Sequence, residues 1–362
     1  MFDYKYTKNK GSGYFELLRL ASGSDICTYS ISDKKRIISL YTDLFVYQEL
    51  HQRLVPLLRS KAKNINIFED LDPSIQMFLT IQTNKGIVTE LSKKIQLNQM
   101  IDEFSKAGVS MILLKGAAFS SLLYSAQAPR TSNDIDILVK EEHWEKAVSI
   151  LSSFMKYKEK ECPGTFGDLY EISFLSNNIK GVTVDLHKSL IHPHLFNFNN
   201  DFLWADSEEA VLYKNPLIRV LSPEYSLIHQ ALHAYKDMDF AKYNLVDSHR
   251  LISKFTIDDI KLINIANDLG AKVPLYIMLY NCKFIMGTQI NDDLLQVLKP
   301  SVVKLILCKY VLRSRYNQPI NSIKSIRYRL IQLLSVFLYT SSSSRSLSLL
   351  ILFIRTYIKA RK

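Results

Sequence analysis

The stretch that decides the fold is Met111 to Lys140, MILLKGAAFSSLLYSAQAPRTSNDIDILVK. It opens on an apolar run ending in Lys115-Gly116 and closes on Asp134-Ile135-Asp136 inside a second apolar run. The first run predicts a strand, and AAFSSLLY after the glycine predicts a short helix. A glycine at such a turn lets the backbone come close to a phosphate, and the free N–H groups of the next helix can receive it. In DIDILV the side chains alternate, so Asp134 and Asp136 share one face while Ile135, Ile137 and Val139 turn toward a core. Two like charges on one face are costly unless a cation sits between them. Hard oxygen donors of this kind suit Mg²⁺, which takes one or two carboxylates together with substrate phosphates.

Outward from this stretch the pattern changes. Residues 141–154 read as a helix. LYEISFLS at 169–176 and VTVDL at 182–186 then flank the turn signal Asn177-Asn178, which predicts a hairpin. Asp185 therefore sits on a strand able to lie beside the DID strand. Upstream, residues 1–12 are polar and expected to fray, and apolar positions recur at helical spacing from Tyr14 to about Leu58. A second helical segment runs from Asp72 to Gly108, where Val88, Leu91, Ile95, Met100 and Phe104 recur three to five apart and predict a core-facing stripe. Downstream, Ser222-Pro223-Glu224 is a helix start with Ser as N-cap and Pro at the first position. Further helices are expected at 242–254, 256–269, 272–285, 291–298 and 301–313.

Composition sets the bounds. The 362 residues hold 46 Lys and Arg against 35 Asp and Glu, a formal charge of +11, with 47% apolar residues. That is an ordinary globular balance, moderately basic, and compatible with phosphate-bearing partners. Four cysteines (Cys27, Cys162, Cys282, Cys308) lie far apart without C-x-x-C spacing, so reduced thiols and a cytoplasmic setting are expected rather than a disulfide framework or zinc ribbon. There is no apolar N-terminal segment of signal-peptide length and no run long enough to span a bilayer.

The ordered set of an apolar strand ending in Lys115-Gly116, a short helix, Arg130-Thr131-Ser132, Asp134-Ile135-Asp136 and a later Asp185-Leu186-His187 resembles the polymerase-β-like nucleotidyltransferase superfamily. More narrowly it resembles the uncharacterised bacterial nucleotidyltransferase family found near peptide natural-product and polysaccharide gene clusters. ELSKKIQLNQMIDEFSKAGVSMILLKGAAF and LSPEYSLIHQALHAYKD carry the likeness beyond the site, over roughly residues 75–255. The resemblance implies an α+β fold: a small mixed-sheet nucleotidyltransferase core at 108–200, a helical N-terminal cap at 1–107, a helical C-terminal bundle at 201–320 and a basic apolar tail at 321–362. It implies transfer of a nucleoside monophosphate from a nucleoside triphosphate (NTP) with two Mg²⁺ ions. Asp134 and Asp136 would be the first two catalytic metal ligands and Asp185 the third, activating an acceptor hydroxyl. Gly116 would lie under the triphosphate, with Lys115, Arg130 or Ser132 on phosphate oxygens. Arg130 has a second reading, an ion pair that positions the carboxylates.

One departure stands out. The superfamily follows its glycine with Ser or Gly, whereas Ala117-Ala118 follow Gly116 here. Ser120, Ser121 and Ser132 are the possible substitutes for that hydroxyl. The acceptor is open: a small molecule, a peptide, RNA, or a protein as in a toxin-like modifier. Maturation of a peptide or polysaccharide product and a non-catalytic nucleotide-binding scaffold are the other readings. His187, His192 and His194, with His229 and His233, offer a zinc alternative that lacks a nearby cysteine and is not favoured. Asp247 is expected to pack between helices, and the tail to pack on the bundle or to lie on an anionic membrane or a partner.

Overall fold

The computed structural model describes residues 12–23, 31–43, 53–132, 134–158 and 170–316; within that last span 178, 180, 192–195, 198, 238 and 241 are not described. The expectations for residues 1–11, Cys27, Cys162, His192, His194 and the tail beyond 316 lie outside the described residues. The N-terminal part holds α1 (Ser12–Ser22), α2 (Ile31–Thr42), α3 (Val55–Asn64) and the 34-residue α4 (Pro73–Lys106). Helix α4 begins where its sequence says it should: the Asp72 carboxylate accepts the Ser74 N–H at 2.8 Å and Pro73 takes the first position. It stops before Gly108, which adopts φ +67.

The sheet follows. Its strands are β1 (Met111–Leu113), β2 (Asp134–Val139), β3 (Met155–Tyr157), β4 (Glu171–Ser176), β5 (Thr183–His187), β6 (Glu208–Glu209) and β7 (Ile218–Val220). Their order is β3-β4-β5-β2-β1-β7-β6, and the sheet is mixed: β2 runs antiparallel to β1 and parallel to β5, while β7 runs parallel to β1. The hairpin of β4 and β5 forms as its turn signal predicts. Strands β3, β6 and β7 had no counterpart in the sequence reading, and β6 and β7 fall in a stretch expected to be helical. Two or three residues are too few for alternation to register.

Helices α5 (Lys115–Leu122), α6 (Trp144–Phe154) and α7 (Asn200–Asp206) connect the strands. Beyond the sheet come α8 (Pro223–Lys236), α9 (Tyr243–Lys254), α10 (Asp259–Leu269), α11 (Lys272–Asn281), α12 (Asp292–Leu298) and α13 (Val302–Tyr316). Ser222 caps α8 as expected, its Oγ accepting the Tyr225 N–H. One buried apolar cluster runs through all three parts, from Tyr14 in α1 through Ile137 in β2 to Leu279 in α11. Among the described residues, no helix is long and apolar enough to cross a membrane.

Helix α4 overturns one expectation. Met100 and Phe104 are buried, but Val88, Leu91 and Ile95 face solvent. The inward side of its middle carries Thr83, Gly86, Lys93 and Gln96 instead. The reason is local: this face meets polar partners, with Lys93 on Ser132 and Gln96 on Ser176. Gly86 is the closest approach, since a Cβ there would lie 2.6 Å from Thr131 Cγ2 and 3.3 Å from Pro56 Cγ.

Gly86→Ala is therefore expected to destabilise the fold. Overpacking of about 1–3 kcal/mol outweighs the roughly 1 kcal/mol that alanine adds to a helix. Thr131→Ser removes the clashing methyl and keeps the hydroxyl, so the double variant should unfold at or above the wild-type urea midpoint. Additive losses in the double-mutant cycle would contradict this packing account.

Candidate active site

Strand β2 lies between β1 and β5, and its register sets Asp136 directly across from Asp185. Period-two alternation puts Asp134 on the same face. One carboxylate oxygen from each of the three comes within 4.8 Å of the others. Asp136 is buried, and Asp134 and Asp185 are half-buried. Beyond Asp136 the strand is covered on both faces, for Ile137, Leu138 and Val139 are all buried.

Asp136 is held by two nitrogen partners, a lysine and a histidine. Lys115 Nζ donates to its Oδ1 at 2.8 Å, and His187 Nε2 stands 3.1 Å from the same oxygen. Burial opposes its charge, but Lys115 and then His187 outweigh burial and hold this carboxyl well below the usual range. Asp185 moves the other way. Burial first, and then the charge of Asp136, raise it, although Ser173 Oγ donates to its Oδ1 at 2.6 Å. The group thus carries more negative charge than its own lysine offsets.

Lys115 reaches Asp136 because the chain turns sharply there. The Leu114 N–H donates to the Asp136 carbonyl at 3.0 Å, which brings the start of α5 beside β2. Lys115 itself has φ +43, a left-handed conformation that costs a non-glycine residue about 1–2 kcal/mol. Its ion pair with Asp136 offsets that strain.

Gly116 follows, packed too closely for any side chain. A Cβ there would lie 2.6 Å from Ser132 Oγ and 2.9 Å from Arg130 Nη1. Ser132 is fixed from three sides: its N–H donates to Glu90 Oε1 at 3.0 Å, its Oγ donates to the Asp134 carbonyl at 3.0 Å, and Lys93 Nζ donates to that Oγ. Lys93 also pairs with Glu90 at 2.6 Å. Burial pushes the Lys93 amine down, and Glu90 opposes that shift.

Arg130 lies beneath this loop. Its Nη2 donates to Asp247 Oδ2 at 2.7 Å, and both side chains are fully buried. The Tyr124 hydroxyl donates to the other oxygen of Asp247, and the Tyr243 ring lies 4.8 Å from the guanidinium. Asp247 packs between helices as expected, with Arg130 and Tyr124 as its reason for being there. Arg130 makes its ion pair with Asp247 and not with the strand carboxylates.

The structure thus gathers Lys115, Gly116, Ser132, Asp134, Asp136 and Asp185 at one point, with Arg130 just below. It adds Glu90, Lys93 and Ser173, which the sequence reading passed over. Lys93 is one of two adjacent lysines in LSKK, and nothing in the sequence separates the buried one from its exposed neighbour Lys94. His229 and His233 stay neutral: burial, then the charge of Lys115, push both rings well below the usual range. Among the described residues, the three aspartates are the one group of three or more His, Cys, Asp or Glu placed to share a metal ion.

A model of a family described as an uncharacterised nucleotidyltransferase matches residues 42–287. No curated protein matches the chain. Among solved structures, the lincomycin-bound lincosamide antibiotic adenylyltransferase LnuA is similar at 19% identity and a TM-score of 0.31, over 44% of this chain and 96% of that one. The family match takes in more than half of the sequence and every residue of the site just described, and on that ground the chain belongs to the uncharacterised nucleotidyltransferase family and is a nucleotidyltransferase.

Proposed function

We propose that this enzyme moves a nucleoside monophosphate from an NTP to an acceptor hydroxyl, with two Mg²⁺ ions held by Asp134, Asp136 and Asp185. The observation that carries this reading is the single face on which three carboxylates bring their oxygens within 4.8 Å of one another. The donor set fits the metal: all are hard oxygens, and burial, then the charge of Asp136, already raises Asp185. The ions, when bound, would supply charge neutralisation to the phosphate oxygens on both sides of the bond being exchanged.

The chain's own residues do the rest. Gly116 lets the loop 130–132 close against the start of α5, which fixes Lys115 beside the carboxylates where the triphosphate enters. Lys115 exchanges Asp136 for phosphate oxygens as the nucleotide enters. Ser132 Oγ, beside Gly116, is buried between Lys93 and the Asp134 carbonyl, so it holds the loop in place next to the phosphate path. Ser173 holds Oδ1 of Asp185, and Oδ2 takes the proton of the acceptor hydroxyl as that oxygen attacks the α-phosphorus and pyrophosphate leaves. Arg130 works from below, anchoring the loop through Asp247 without touching phosphate. The acceptor is a small molecule, a peptide, a protein or RNA.

Incubation with α-labelled NTPs, Mg²⁺ and a cell extract is expected to label a product with the wild type. Asp185→Asn should lose on the order of 100-fold or more of the rate, equivalent to about 3 kcal/mol of transition-state stabilisation. Chelation should abolish labelling and added Mg²⁺ restore it. Full activity in Asp185→Asn would remove that residue from the mechanism; nucleotide binding without any label would favour the scaffold.

A second test separates the two readings of Arg130. Arg130→Met leaves Asp247 buried and unpaired and should cost about 3–5 kcal/mol of stability. Arg130→Met with Asp247→Asn removes both charges and keeps an acceptor for Tyr124, so stability should largely return. Nucleotide affinity in that double variant should stay within about tenfold of wild type, roughly 1.4 kcal/mol. A folded double variant that no longer binds nucleotide would put Arg130 on the phosphate.

A further inference from the structure

The solvent face of α4 carries an unusual pattern. Met77, Ile81, Val88, Leu91 and Ile95 are 44–64% exposed on a helix that is otherwise well packed. With Ile81 at position a of a heptad, Val88 and Ile95 also fall at a, while Met77, Asn84 and Leu91 fall at d. The opposite line, position f, is Leu79, Gly86, Lys93 and Met100, all of them buried. The helix is therefore packed on its f side and presents its a/d side to solvent over 19 residues, about 28 Å at 1.5 Å per residue.

We propose that this seam pairs with the same seam on a second copy of the chain, as a parallel, in-register two-stranded coiled coil. Three features choose that occupant and direction. All three a positions are β-branched with leucine at a d position, the choice that favours parallel two-stranded packing. Asn84 is the one polar residue in the seam; it meets its own counterpart only in the parallel, unshifted register, where the two amides bond each other. The flanking charges agree. In the parallel register Lys85 faces Thr80 and Lys94 faces Gln99 of the other helix, with no like-charge contact. The antiparallel register that fills the same layers sets Lys85 beside its own counterpart. The chain beyond residue 316 is a poor alternative, because its eight Lys and Arg and no Asp or Glu would meet the Lys85 and Lys94 flanks.

Light scattering on the full-length protein at micromolar concentration should give twice the chain mass of 41.8 kDa. Val88→Glu with Leu91→Glu, both at exposed positions, should weaken dimerisation by roughly 100-fold or more while leaving the far-UV circular dichroism spectrum of the folded chain unchanged. Leu91→Cys should form an intermolecular disulfide that the wild type does not, whereas crosslinking of Ile81→Cys/Leu91→Cys without self-crosslinking of either single variant would overturn the parallel register. A monomeric wild type overturns the proposal. In that event, protection of Val88→Cys from thiol reagents would assign the seam to residues 317–362, and recovery of the protein on anionic vesicles would assign it to lipid.

Discussion

The buried carboxylate of Asp136 is the constraint on which the rest of this molecule depends. An ionised carboxylate out of water costs several kcal/mol unless it is paired and hydrogen-bonded. Here one oxygen takes both Lys115 and His187. Each partner in turn explains a piece of architecture. Lys115 reaches inward only because it accepts a left-handed backbone at the first residue of α5, and His187 arrives because β5 runs parallel to β2 in a register that also brings Asp185 alongside. The pairing that makes Asp136 tolerable therefore also completes a three-carboxylate face. With three acids against one lysine, that face is short of positive charge, which is the physical basis for expecting metal there.

Around this centre the loop 130–132 is held with little freedom. Arg130 is tied downward to Asp247 in α9, Ser132 sideways to Glu90 and Lys93 in α4, and Gly116 leaves no space between the loop and α5. Fixed contacts to three separate helices are what positioning chemistry needs, since placement and charge neutralisation supply most of the rate in phosphoryl chemistry.

Much of this was legible in the sequence, for specific reasons. Two aspartates two apart in an apolar run announce one face of a strand, and Asn177-Asn178 announces the hairpin that delivers Asp185. What escaped was whatever depends on contacts distant in sequence. The ion pair of Arg130 could not be read because its partner, Asp247, lies more than a hundred residues away. Lys93 looked like any surface lysine. Strands β3, β6 and β7 are too short to carry a periodic signal, although β7 is what shields the far side of β1.

Helix α4 shows why a periodic pattern alone cannot say which side of a helix faces in. Its apolar stripe reads as a core face, yet the molecule buries the other side, where Gly86, Glu90 and Lys93 meet the loop that carries Thr131 and Ser132. A polar inner face is stable only because its groups find partners: Lys93 has Glu90 and Ser132, and Gln96 has Ser176. The functional demand on the inner face displaces the apolar residues to the outer one. Leaving large apolar side chains in water along one line of a long helix is itself unfavourable, so the two faces belong to one solution. The inner line holds the site rigid from within, and the outer line is where a second helix can hold α4 in place from without.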